Sequence, residues 1–312
     1  MRIPNLLRNF ETLNLIYYKT MAKVISILNY KGGVAKTTTT ANLGTALWIL
    51  GKRVLVIDTD IQCNLSFMFD FDQSEGDPTL HDWLLNDCNP PIYDRYDGLH
   101  FIPSGLDETF DEKLSKLYHN EDVLRDHIQV LREHFDYILI DCAPKKGLVN
   151  VNAMNAADSL LIPVVCDSFS LQGMQTLLDS IDYIKKRMNP KLEVEGILIT
   201  KYEKNTRISK AVMSYFTNPE EFPLADKIFN TRIRKNVKFD ESPISHKSCF
   251  ELGIDANGAE DYMLLAEELT GEKRPENWKF KVLETWLEDE DRKDDEAVIE
   301  QLETLKKKCH GK

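Results

Sequence analysis

The sequence has no C-x-x-C pair, no long apolar run, no glycine- or proline-rich linker and no surplus of positive charge. Each absence excludes something. The six cysteines, Cys63, Cys88, Cys142, Cys166, Cys249 and Cys309, are scattered, which suits reduced thiols in a cytosolic protein rather than a disulfide framework. No apolar segment approaches the roughly 18 residues needed to span a bilayer. Met1 to Thr20 mixes Leu, Ile and Tyr with Arg, Asn and Glu, and lacks the apolar stretch and cleavage site of a secretory signal. Because Met21 directly precedes the first clear strand, residues 1–20 read as a poorly ordered extension or as residues upstream of the true start. Without a linker, 312 residues at 42% hydrophobic composition read as one large α/β domain, residues 21–272, followed by an acidic helical extension, residues 273–312. With 51 acidic against 39 basic residues the formal charge is −12, which argues against a general DNA-coating protein. A basic patch on an acidic body stays compatible with that balance, so charge has to be read by segment.

What is present is an alternation of short β-rich runs with longer helical patterns, the signature of βαβ units. The strand candidates are Val24–Leu28, Arg53–Ile57, Leu99–Ile102, Tyr137–Ile140, Ser159–Val164, Glu195–Ile199 and Lys227–Phe229. Most are continuously apolar, as expected for a mainly parallel twisted sheet covered by helices on both faces. Helical segments are expected at Thr37–Leu50, Asn120–Glu133, Leu171–Met188 and Ala259–Leu269. After Pro275, Trp278–Lys308 is polar and acidic, yet Leu283, Trp286, Leu287, Val298, Leu302 and Leu305 recur at helical spacing. That pattern predicts one or two amphipathic helices lying on the domain.

Three motifs carry chemistry. The first follows the Val24–Leu28 strand: Lys31-Gly32-Gly33-Val34-Ala35-Lys36-Thr37-Thr38 forms a loop and opens a helix. Backbone N–H groups and a helix N-terminus then converge on one spot, which makes an anion site. Gly32 and Gly33 let phosphates approach the backbone, Lys36 is placed to reach β- and γ-phosphates, and the Thr37 hydroxyl is placed to bind Mg²⁺. The ordinary G-x-x-x-x-G-K-[ST] pattern fails, with Tyr30 and Ala35 at its glycine positions; the variant K-G-G-x-x-K-[ST] fits. The second motif, Asp58-Thr59-Asp60-Ile61-Gln62, places two carboxylates at the carboxyl end of a strand, where open α/β sheets bind ligands. The third is the apolar strand ending in Asp141, which fits a carboxylate that holds Mg²⁺ through water.

Taken in this order, the motifs resemble the small ParA (Soj-like) partition ATPases, P-loop NTPases of the deviant Walker A type. The match runs from about Met21 to Leu269 and adds Asp136-Tyr137-Ile138, Asp141-Cys142-Ala143-Pro144, Asn152-Ala153 and Ile233 with Asn236-Val237. The resemblance implies a sandwich homodimer formed on binding ATP and Mg²⁺. Lys31 would cross to the partner's phosphates, Lys36 and the loop residues Gly32 to Thr38 would bind the chain's own, and Asp60 would position or activate water. Thr37, Asp58 and Asp141 would support the metal. It further implies slow hydrolysis stimulated by a ParB-like partner, and non-specific binding of duplex DNA in the ATP state. Between Lys201 and Lys247 basic residues outnumber acids, and Arg207, Arg232, Arg234, Lys235 and Lys238 are the DNA candidates.

The chain departs from the family pattern at several positions. Ala35 replaces a glycine, Lys145-Lys146 replace Ser-Leu, and Arg234 stands where a proline is usual, which leaves Thr200 as the adenine-side candidate. Three rivals are set against this reading, one of them a non-catalytic adaptor in which Ala35 has cost hydrolysis and the protein only binds nucleotide; a related subclass stands beside them. A related ATPase positions a protein cargo. A MinD-like membrane switch needs a basic amphipathic C-terminal helix, and the acids upstream of Lys306-Lys307-Lys308 oppose one. An iron–sulfur carrier needs two bridging cysteines, and only Cys142 lies near the site.

Overall fold

The computed structural model describes residues 21–310, except 75, 87, 168–169 and 289–294; the expected extension 1–20 lies outside the described residues. Eight strands join in one sheet: β1 (Lys23–Ile27), β2 (Val54–Asp58), β3 (Tyr93–Tyr96), β4 (Leu99–Ile102), β5 (Tyr137–Asp141), β6 (Ser159–Val165), β7 (Glu193–Tyr202) and β8 (Ile228–Arg234). Their order is β3-β4-β2-β5-β1-β6-β7-β8, and every neighbouring pair is parallel except β3 with β4. The chain runs from β1 outwards to β2 and β4, returns to place β5 in the gap, then continues on the other side through β6, β7 and β8. A sheet that reverses in this way opens a crevice at the carboxyl ends of the strands beside β1.

The helices between the first six strands are α1 (Lys36–Ile49), α2 (Asn64–Met68), α3 (Leu80–Leu85), α4 (Phe110–Ser115), α5 (Val123–Gln129) and α6 (Leu148–Ala156). Beyond β6 come α7 (Ser170–Arg187), α8 (Arg207–Phe216), α9 (Lys238–Ser245), α10 (Cys249–Leu252) and α11 (Asn257–Thr270). The polar C-terminal stretch forms two helices, α12 (Trp278–Glu288) and α13 (Glu296–His310). Alternation along the strands divides the core in two. Val24, Leu55 and Ile57 face a cluster beneath the first side of the sheet, while Ile25, Ile27, Val54 and Val56 face the other. Both faces being dry explains why these strands read as unbroken apolar runs.

Local chemistry sets the helix ends. Thr79 and Asp82 form a capping box that starts α3, Ser248 and Glu251 form another at α10, and Gly271 ends α11 at φ 72°. The C-terminal helices share the core of the second face. Trp286 is buried and stacks on Trp48 of α1 with ring centres 6.4 Å apart, and Val298, Leu302 and Leu305 are buried with it.

Expectation and structure differ in places. β3 was not foreseen, because Tyr-Asp-Arg-Tyr is an edge strand whose partners, not its hydrophobicity, hold it. The helix expected over Asn120–Glu133 shrinks to Val123–Gln129, and β7 and β8 extend well past the apolar cores that announced them. Within β3, Arg95 is nearly buried and donates to Glu251, which is fully buried, at 3.1 Å, and to the carbonyl of His246 at 2.8 Å. This pair fastens the sheet edge to α10. Arg95→Met leaves the Glu251 carboxylate buried without its cation, and a loss of about 3–5 kcal/mol in urea unfolding is expected. A loss below about 1 kcal/mol would mean that Ser248 alone satisfies Glu251.

Candidate nucleotide site

The loop between β1 and α1 shapes the site. Gly33 and Ala35 both lie in the left-handed region, at φ 72° and 66°. A Cβ built on Gly32 or Gly33 would meet nothing within 4 Å, so the loop presents bare backbone to open space. No acidic side chain and no side-chain cap occupies the first turn of α1, which leaves its N–H groups for an anion. Ala35 takes the conformation that its methyl disfavours. Ala35→Gly is therefore expected to raise unfolding stability by about 1 kcal/mol, read by thermal or denaturant melts, and a destabilised variant would refute the strain.

Gly32, Gly33, Ala35, Lys36, Thr37, Thr38 and Asp60, all expected site residues, line one cavity of about 280 Å³; Met68, Ile233, Phe239 and Tyr262 form its apolar wall. A larger cavity of about 620 Å³ lies around Thr79, His81 and Asp107, but it has no phosphate loop and lies beyond β4. Val34 is buried, with its carbonyl held by the Thr200 hydroxyl at 3.0 Å. Thr200 is itself fully buried, so the expected adenine-side contact is corrected: the residue braces the phosphate loop from below.

Lys36 is buried, and its ammonium donates to the carbonyl of Lys31 at 3.1 Å. Burial pushes its pKa down, while Asp141 nearby pulls it up. Asp141 accepts from Thr40 Oγ1 at 3.2 Å through Oδ1, while its buried Oδ2 has no hydrogen-bond partner among the described residues. A partnerless buried carboxylate oxygen beside the Thr37 hydroxyl fits a cation, so these residues suit Mg²⁺. Asp58 is turned differently. Its Oδ2 accepts from Ser66 N and Oγ at 2.9 and 2.7 Å, and its Oδ1 accepts from Asp60 N at 3.1 Å. The metal support expected of Asp58 is therefore indirect, through the turn it anchors, whereas Asp60 faces the cavity itself.

Burial raises the pKa of both Asp58 and Asp141, to about 6 and about 8, against an ordinary 3.8. Their mutual proximity adds to the rise in Asp141. Between pH 4 and pH 8 the folded chain then holds protons that the unfolded chain has released, so this contribution to stability is complete near pH 4 and lost as pH climbs through 6 and 8. The melting temperature without metal is expected to fall over that range. Saturating Mg²⁺ and nucleotide should flatten the fall by stabilising the ionised carboxylates. An identical slope in both conditions would contradict the metal assignment.

Lys31 leaves the cavity. Its ammonium pairs with Asp167, at the end of β6, and its backbone N–H donates to Asn29 Oδ1 at 2.9 Å. Asp167 was not anticipated, although an acid at the carboxyl end of a parallel strand was the available signal. Thr40 and Ser66, which hold the two buried aspartates, were also missed.

The five DNA candidates do not form one free patch. Arg234 is bound through Nε and Nη2 to the buried Asp261, at 3.0 and 2.6 Å, and Lys238 pairs with Glu241 at 2.8 Å. These two charges are already met within the chain, which weighs against their reaching a phosphate. Arg232 lies over the Tyr202 ring at 5.2 Å, Lys235 sits 3.8 Å from Glu203, and Arg207 is exposed at the start of α8. Lys146 lies over the Tyr30 ring at 5.6 Å, beside the phosphate loop.

A family model described as an AAA domain matches residues 22–194. The chromosome partitioning protein ParA of Caulobacter vibrioides is 34% identical over 260 residues, covering 81% of this chain and 95% of that protein. The sporulation initiation inhibitor protein Soj of Bacillus subtilis is 33% identical over 259 residues, covering 80% and 98%. Among solved structures, the septum site-determining protein MinD of Pyrococcus horikoshii, complexed with Mg-ADP, superimposes with a TM-score of 0.65 at 25% identity, covering 80% of this chain and 96% of that one. No helix among the described residues is long and apolar enough to cross a membrane. With a glycine-paired phosphate loop, a buried lysine and acids at the ends of β2 and β5, the chain belongs to the ParA/Soj-like family of deviant Walker A P-loop ATPases, using ATP and Mg²⁺.

Proposed function

We propose that ATP closes two copies of this chain into a homodimer that binds duplex DNA without sequence preference, and that hydrolysis, stimulated by a ParB-like partner, releases it. The work would be partition of plasmid or chromosomal DNA, in the cytoplasm on the nucleoid. The observation that carries the reading is the gathering of Lys36, Thr37 and Asp60 on one cavity, with Lys31 beside it on the same loop. In a dimer, Lys31 exchanges Asp167 for the partner's phosphates, and two lysines from two copies neutralise the triphosphate. Mg²⁺ held by Thr37 and Asp141 supplies further charge neutralisation. Asp60 positions water, and Lys36 holds the phosphates.

The DNA surface in this reading draws on Arg207, Lys210 and Lys204 on and before α8, with Arg232 on β8 and Lys235 just after it, in place of Arg234 and Lys238. Dimerisation doubles that set along one duplex, so affinity follows the nucleotide. Retention of an arbitrary duplex is expected with a non-hydrolysable ATP analogue, falling steeply with salt, and not with ADP. Equal retention with ADP, or none with the analogue, removes DNA as the cargo and favours a protein cargo for the same ATPase. A membrane role has less support: the apolar face of α13, Val298, Leu302 and Leu305, is buried against the domain and would have to be torn away to meet lipid.

A further inference from the structure

A second cavity, of about 620 Å³, lies at the carboxyl end of β4, between α3 and the turn that leads into α4, and takes no part in the nucleotide reading. Its size is that of a small-molecule site. His81 stands on its wall, only 5% exposed, and neither ring nitrogen has a hydrogen-bond partner among the described residues. Burial pushes its pKa down to about 4, so near neutral pH the ring is uncharged and offers one donor and one acceptor, both unanswered. Packing alone does not call for histidine here. The ring stacks on Phe110 with centres 3.7 Å apart and planes 5° apart, a contact that phenylalanine would make without two orphaned polar atoms. Gly105, on the same wall, keeps room beside the ring, since a Cβ there would come within 2.7 Å of His81 Nδ1 and 2.9 Å of Thr79 Oγ1. Unanswered nitrogens on the wall of a polar cavity call for a polar ligand.

Charge says which kind. The cavity's ionisable groups besides His81 are Asp82, Asp107 and Lys113. Lys113 is already spent on Asp107 Oδ2 at 2.7 Å, and Asp107 Oδ1 accepts from the N–H and the hydroxyl of Thr109 at 2.9 and 2.6 Å. Asp82 accepts from Thr79 N and Oγ1 through Oδ2, both at 2.9 Å, and meets no cation among the described residues. The uncompensated charge on the wall is therefore negative. It suits an ammonium and repels a phosphate or a carboxylate. A hydroxyl both donates and accepts, so it can answer either nitrogen of His81. Leu85, half-buried, and Leu106, exposed, offer apolar contact to the methylenes between the two groups.

We infer that this cavity is a second ligand site, separate from the nucleotide cavity, that binds a small aliphatic amine bearing a hydroxyl, with Asp82 on the ammonium and His81 on the hydroxyl. The test is NMR titration of the full chain with aminopentanol, with pentanediol and hydroxypentanoate as neutral and anionic molecules of the same length. Wild type is expected to bind aminopentanol with a Kd of about 1 mM and to bind the diol and the acid at least about tenfold more weakly. The ring nitrogen resonances of His81 should shift as aminopentanol binds. His81→Phe keeps the stack on Phe110 and should weaken aminopentanol by about tenfold or more, with an unchanged or higher melting temperature. Gly105→Ala should weaken it as much by crowding the ring. The site is overturned by any of four results: no binding below about 20 mM, His81 resonances that stay still, a diol or acid bound as tightly as the amine, or an affinity that His81→Phe leaves within about twofold. Should a variant fail to fold, the His81 resonances of wild type and the ranking of the three probes still decide.

Discussion

Asp60→Ala is expected to lower ATP turnover by about 10²- to 10⁴-fold while ATP affinity stays within about tenfold. Asp60 is an acid that both faces the cavity and stands clear of the phosphate loop. Its Oδ1 accepts from the Gln62 N–H at 3.1 Å, which fixes the carboxylate's direction. Behind it, Asp58 holds the turn through Ser66 and through the N–H of Asp60 itself. A carboxylate held this firmly contributes to positioning water rather than to gripping phosphate, which would repel it. Loss should therefore appear in the rate and not in binding. Asp60→Asn preserves the shape and removes the base, so it separates proton acceptance from positioning. A rate for Asp60→Ala indistinguishable from wild type would mean that another group directs the water, with Asp141 the next to test.

The phosphate end of the site was legible because it is local. Lys31 to Thr38 are consecutive, the strand before them and the helix after them are strongly patterned, and eight residues suffice to state a geometry. The aspartates were legible for a related reason, since each ends an apolar strand. What could not be read were partners distant in the chain. Asp167 is 136 residues from the lysine it holds, and Arg234 meets Asp261 across 27 residues. The sequence marks Arg234 as basic and says nothing of the acid that cancels it. Thr200 misled for the opposite reason, because its position at a strand end was right while its hydroxyl points beneath the loop. The antiparallel β3 stayed hidden because Arg95 and Asp94 break any apolar pattern, and the strand depends on a buried ion pair with α10. In the C-terminal stretch the helical spacing of Leu283, Trp286 and Val298 was a faithful guide, because burial in the core of the sheet's second face requires that spacing.

In the proposed nucleotide-clamped dimer, Lys31 is the residue on which the switch turns. In the single chain its ammonium is neutralised by Asp167, and both side chains are partly exposed, so exchanging that carboxylate for a triphosphate on a facing copy demands no unfolding. A point charge facing a water-excluded triphosphate is worth far more than one in water, and Lys31→Ala is accordingly expected to weaken dimerisation by at least about a thousandfold. Lys36 remains in place in that variant, so each chain still binds its own nucleotide within about tenfold of wild type. Light scattering with a non-hydrolysable ATP analogue and Mg²⁺ reads this directly. Wild type should move from 36.0 kDa to about twice that mass, and Lys31→Ala should stay at 36.0 kDa with analogue bound. The same mass for wild type with and without the analogue, or a doubled mass that Lys31→Ala leaves untouched, would contradict a nucleotide-clamped dimer.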